Sequence, residues 1–267
     1  MKEEYADGIK IIKRKSKGKV IGVLLIVLVC FGMVTLLAEL LSKTISVGNF
    51  SIVSLIFGNG EKIDERKYYA VALGEYDKRE AALEVAMGAS VAGASGFVWE
   101  KDNKFYPIGS IYKNKEAAEI VKTQLDSSVY SISILDIDFK EVVIDERTKE
   151  QAVCEMIYES LNYLDELFNN FEKHSIQLEK NEITFVAAAS FINAYAGEIR
   201  VFESKMQYLI EEYKDETLKK IKNGFVAIET SLNNTVSTLL SNFSPISDVK
   251  YGLVDFVYNY YSLILSL

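Results

Sequence analysis

Residues 68–86 read YYAVALGEYDKREAALEVA, and residues 104–121 read KFYPIGSIYKNKEAAEIV. The second stretch repeats the first at an offset of 36 residues: Tyr112 answers Tyr76, and Glu116-Ala117-Ala118 answers Glu80-Ala81-Ala82. A fixed offset marks one supersecondary unit used twice. In each copy, alternation of side-chain type before the Tyr suits a strand with one covered face, and the Glu-Ala-Ala run after it suits a helix. The reading is strand 68–76, helix to about 91, strand 96–101, strand 104–112, helix 115–125 and strand 129–137, with Asp102-Asn103 as the turn. Gly93 and Gly96 break the first helix. The order βαββαβ places both helices on one face of an antiparallel sheet and leaves the other face open. If Val71 and Leu73 lie under the helices, alternation sends Tyr68, Ala70 and Ala72 to the open face. The offset adds Tyr106, Ile108 and Ser110, and in the last strand Ser131 and Ser133 point outward while Ile132 and Ile134 point inward.

The doubled unit, with GASGFVWEKDNKFYPIGSIYKNKEAAEIV as its second half, resembles the SPOR (sporulation-related repeat) family over residues 67–138. The resemblance implies a ferredoxin-like fold. It also implies that the open sheet face binds peptidoglycan glycan strands, preferring those stripped of stem peptides, at a division or sporulation septum. On that basis the candidate glycan-binding residues are Tyr68, Ala72, Trp99, Tyr106, Ile108, Ser110, Ser131 and Ser133. Tyr and Trp offer a ring for the apolar face of a sugar and a polar edge for its rim. The chain departs from the family pattern in several places. Ala72 stands where a polar residue usually precedes Leu-Gly, Tyr106 and Ile108 flank Pro107 where polar residues are usual, and Ser110 replaces the second Gly.

Outside the repeat, residues 20–41, VIGVLLIVLVCFGMVTLLAELL, contain one charge, Glu39. As a helix they would run roughly 33 Å, enough to cross a hydrocarbon layer of about 30 Å. Lys10, Lys13, Arg14, Lys15, Lys17 and Lys19 precede this stretch and Lys43 alone follows it closely. That asymmetry predicts a single-pass membrane protein with a cytoplasmic basic tail (1–19), a transmembrane helix (20–41), a linker (42–66) and an extracytoplasmic remainder. Negative charge concentrates after residue 140, which argues against a nucleic-acid partner. Cys30 falls in the apolar stretch and Cys154 on a helical stripe, so no pairing between the two is expected.

From about residue 145 the period changes to 3.6. Val153, Ile157, Leu161, Leu164, Phe168 and Phe171 form one apolar stripe, and Ile221, Phe225, Ile228, Leu232, Val236, Leu239 and Phe243 form another. Helices are expected at about 146–179, 182–213, 215–243 and 245–266, with a break at Asn181, a cap at Asp215 and Pro245 in a first turn. These predict an all-α bundle over residues 145–267, a domain separate from residues 67–140. Residues 251–267 read as its last core helix or as an apolar surface for a partner.

Enzyme chemistry finds little footing. The single His, His174, has no second His or Cys beside it, so neither a metal site nor a Ser-His-Asp set is indicated. Glu155, Glu159, Asp165, Glu166 and Glu172 read as a solvated helix face rather than a glycan-cleaving pair. No phosphate loop is present, and neither cofactor nor metal is expected. The expected function is glycan binding by a membrane-anchored module. The alternative is an envelope scaffold that binds partner proteins through a degenerate sheet and the helical bundle.

Overall fold

The computed structural model describes the backbone of residues 4–6 and 9–11 and all of residues 62–145, 149–241 and 245–267. It divides into two compact units, Met1–Ser51 and Ile52–Leu267. In the first, β1 (Glu4–Ala6) and β2 (Ile9–Ile11) form an antiparallel hairpin with Tyr5 opposite Lys10. The apolar stretch 20–41 lies outside the described residues. Among those that are described, no helix is long and apolar enough to cross a membrane.

The second unit is α+β, with a small antiparallel sheet and six helices among the described residues. Strand β4 (Arg66–Ala72) leads to α1 (Arg79–Val91), then to the hairpin of β5 (Phe97–Lys101) and β6 (Lys104–Tyr112). Helix α2 (Lys115–Gln124) returns the chain to β7 (Ser133–Phe139). The sheet order is β5-β6-β4-β7, every neighbour antiparallel, and β3 (Lys62–Ile63) pairs with β8 (Val142–Val143) as a separate short ladder. Local chemistry explains the joints. Asp102 and Asn103 both take positive φ, 52° and 58°, the conformation a two-residue hairpin turn requires and that Asp and Asn tolerate. The Asn114 side chain accepts from Glu116 N at 2.8 Å and starts α2.

The repeated units share their helix–sheet contacts but not their strand ends. Ala82 and Ala118, the second alanine of each pair, are fully buried, so α1 lies close on β5 and β6 and α2 on β4, β6 and β7. Gly74 has φ 153°, and a Cβ there would meet the Tyr76 ring at 2.7 Å, so the first strand stops at Ala72 and Tyr76 rejoins the sheet only through a bridge to Phe105. The second copy has Ser110 at this place and its strand continues to Tyr112.

The helical region is α3 (Gln151–Glu179), α4 (Phe185–Tyr213), α5 (Glu216–Ser241) and α6 (Pro245–Ser266). Asn181 takes φ 57° after α3, and Asp215 Oδ1 accepts from Leu218 N at 2.7 Å ahead of α5. Thr184 caps α4 by accepting from Ala187 N. Helices α5 and α6 cross tightly at Gly252, where a Cβ would lie 2.2 Å from Thr235 Oγ1. The expectation of a separate bundle is corrected: one continuous core takes in β4 to β7 together with α3, α4, α5 and α6. The apolar stripes of the four helices are buried partly against one another and partly against the sheet. The sheet face that takes them is the one offered by Tyr68, Trp99 and Ile108.

Candidate functional site

The sheet face expected to be open is closed. Helix α6 lies across β5, β6 and β7, and α3 packs beside it. Trp99, 1 % exposed, meets Tyr258 edge-on at 5.1 Å and Tyr261 at 5.8 Å between ring centroids. Tyr68, with no exposed surface, packs edge-to-face on Phe168 at 4.6 Å, and Phe139 stacks on Tyr261. Ala72 and Ile108 are fully buried in the same core. Tyr68, Ala72 and Ile108 share one face as alternation placed them, and Trp99, whose face alternation left unassigned, joins them; that face is an interior and no ligand reaches them in this arrangement.

Ser110 is on the other face. The register slips between Val71 and Ala72: Val71 pairs with Ser110 while Ala72 pairs with Ile108, leaving Gly109 as the extra residue of a β-bulge. A bulge inverts the alternation beyond it, so Ser110 shares the face of Val71, which packs with Ala118 of α2. The remaining candidates stay accessible. Ser131 and Ser133 are exposed, and Tyr106 is half-buried with its hydroxyl donating to Glu75 Oε2 at 3.3 Å.

A buried polar network, not foreseen in the solvated-face reading of α3, staples the layers together. Arg66 Nε sits 2.6 Å from Asp165 Oδ2, and its guanidinium also donates to the Tyr260 hydroxyl. Tyr68 OH donates to Asp165 Oδ1 at 3.3 Å, and Tyr260 OH lies 3.1 Å from the carbonyl of Leu161. Burial pushes the Asp165 carboxyl above its usual range, with Arg66, Lys113 and both Tyr hydroxyls offsetting part of that cost. Glu172, whose carboxyl is likewise raised by burial, accepts from Lys113 N at 3.2 Å and ties α3 to the loop before α2. His174 is a packing residue: its ring stacks on Phe191 at 4.0 Å, its Nδ1 is 2.6 Å from Tyr195 OH, and burial lowers its pKa. Cys154 is buried in the core. Among the described residues, no cluster of His, Cys, Asp or Glu is placed to hold a metal.

A concavity lies on the α1/α2 side. A cleft of about 530 Å³ opens between the end of α1, the flank of α2, the bulge of β6 and the ends of α3 and α6. Its walls are aliphatic, from Leu73, Ala89, Ile120, Val121, Leu125 and Ile176. Five of its polar residues come from β6 and the ends of α3 and α6, namely Ser110, Tyr112, Glu179, Lys180 and Lys250, and Gln124 and Tyr130 add two more beside Leu125. Lys250 is tethered by Glu179 Oε1 at 2.7 Å, and its side chain is only 12 % exposed. Ser110 Oγ, in a residue 5 % exposed, makes no hydrogen bond of good geometry; the Tyr112 hydroxyl lies close enough for Ser110 to offset part of the rise that burial gives its pKa. Sequence reasoning missed the cleft because it has no motif. The one signal was the run of small residues, Ala89, Ala92, Gly93, Ala94 and Gly109, none large enough to fill it. Compared with family models, curated proteins and solved structures, the chain matches none.

Proposed function

We propose that the chain is a non-enzymatic, membrane-anchored scaffold of the cell envelope, acting in division or sporulation. In this reading, residues 20–41 tether it and a SPOR-type unit is fused to a helical layer that binds partner proteins. The strand order β5-β6-β4-β7, with two helices on one face, supports a ferredoxin-like unit of that type. The observation that carries the scaffold reading is the burial of Tyr68, Ala72, Trp99 and Ile108 beneath α3 and α6: the surface that would hold a glycan strand serves as core. Co-sedimentation of residues 52–267 with purified sacculi, before and after amidase treatment, tests it. No sedimentation with either preparation is the expected result.

A second reading keeps glycan binding, and one observation favours it: Ser131 and Ser133 are exposed and Tyr106 is only half-buried. Sedimentation that is lost on Tyr106→Ala, with the fold intact, would establish this reading over the scaffold. The 67–140 fragment is an unsuitable probe, because removing α3 and α6 would bare Trp99 and Tyr68 and invite nonspecific adsorption.

A further inference from the structure

The cleft between α1, α2 and the ends of α3 and α6 belongs to neither functional reading. Its volume of about 530 Å³ is that of a small-molecule site, and its makeup, apolar walls with a few converging polar groups, is the usual one. A sugar or nucleotide needs hydrogen-bonding partners along its whole length, and away from the lysines only Gln124 and Tyr130 interrupt the aliphatic walls. The polar end holds two lysines against one glutamate, Lys180 and Lys250 against Glu179. Lys180 makes no ion pair among the described residues. The negative end of the α3 dipole is reduced here, because the carbonyls of Ile176, Leu178 and Gln177 accept from the backbone N–H groups of Lys180, Asn181 and Glu182. Ser110 Oγ lines the same cleft with only the Tyr112 hydroxyl near it and no hydrogen bond of good geometry, so an arriving acceptor would improve its pairing.

We propose that this cleft binds a slim aliphatic chain with an anionic head, a fatty carboxylate or the acyl chain of an anionic lipid. The chain lies along Leu73, Ile120, Val121 and Leu125, and the head sits between Ser110 and the lysines. Residues 52–267 form a compact unit with their own core and serve as the test protein. Titration with dodecanoate should show saturable one-to-one binding, with dodecanol at least fivefold weaker. Ser110→Ala should weaken dodecanoate about fivefold, the equivalent of one hydrogen bond, while leaving the unliganded protein no less stable. Ala92→Trp, at the exposed rim, should block the cleft and weaken binding at least tenfold with unchanged unfolding. Absence of saturable binding below the micellar concentration overturns the proposal, as does binding indifferent to both substitutions. Equal affinity for dodecanol overturns the anionic head. Anionic phospholipid vesicles identify the source: vesicle association lost in Ala92→Trp supports a lipid chain, and dodecanoate binding without vesicle association supports a free carboxylate.

Discussion

On one face of the sheet, Tyr68, Phe97, Trp99, Ile108 and Phe139 are buried against the aromatic rings of α3 and α6, with an Arg66–Asp165 ion pair closed in among them. On the other face, Val71, Ser110 and Tyr112 lie under the alanines of α2, and the two helices leave a cleft between them. Both faces are covered, but by different means. Large rings interdigitate and exclude solvent, whereas an alanine contact brings a helix close over a narrow strip and fills little volume beside it. Stability is therefore expected to concentrate on the aromatic face, and room for a ligand on the alanine face.

The largest effect that tests this contrast is Trp99→Ala, which removes the ring wedged against Tyr258 and Tyr261 and should cost about 4 kcal/mol in denaturant melts. A loss below about 1 kcal/mol would mean that α6 rests on the sheet without sharing its core. Asp165→Ala should cost about 3 kcal/mol, because it strands Arg66 in a mostly buried site, while the double variant Arg66→Met/Asp165→Leu should recover most of that. On the alanine face, Ala82→Leu overpacks α1 on β5 and β6 and should cost about 2 kcal/mol.

A pH series sharpens the comparison further. Burial raises the carboxyls of Asp165, Glu172 and Asp255, so the folded chain holds these protons more tightly than the unfolded one. Their contribution to stability is full below the ordinary carboxylate range and is lost as pH rises through the raised values. Asp255→Asn carries no such charge while keeping an acceptor for the Ser231 hydroxyl. Its melting temperature should exceed that of the parent at neutral pH and converge with it as pH falls; a constant offset would show that burial of the charge is not the cause. The smallest effect is expected from Tyr106→Ala, at a half-buried position, less than about 1 kcal/mol in the same melts. A larger loss would extend the closed core to that residue.

Much of the fold was legible because its signals are local. The 36-residue offset marked two equivalent units, the Asp-Asn pair marked the hairpin, and Asn181 and Asp215 marked helix boundaries within a few residues. The candidate site was read less well. Tyr68, Ala72, Trp99 and Ile108 form a common surface, as four strand positions on one side must, yet their role depends on residues more than a hundred positions away, such as Tyr258 and Tyr261. Asp165 looked solvated because its neighbours on α3 are charged, and its partner Arg66 stood in what read as linker.

By itself, then, the sequence determined periods, turns and caps, and from them a βαββαβ unit followed by four amphipathic helices. These follow from interactions within a few residues of each other, where side-chain type and backbone preference suffice. Tertiary structure alone decided which layer covers which face, the bulge at Gly109 that turns Ser110 toward the cleft, and the burial of Arg66 with Asp165. Alternation shows that a strand has two different faces but not what will lie against either one. That choice goes to whichever arrangement removes the most apolar surface from water, and here the helices that needed a partner found it on the face that looked open.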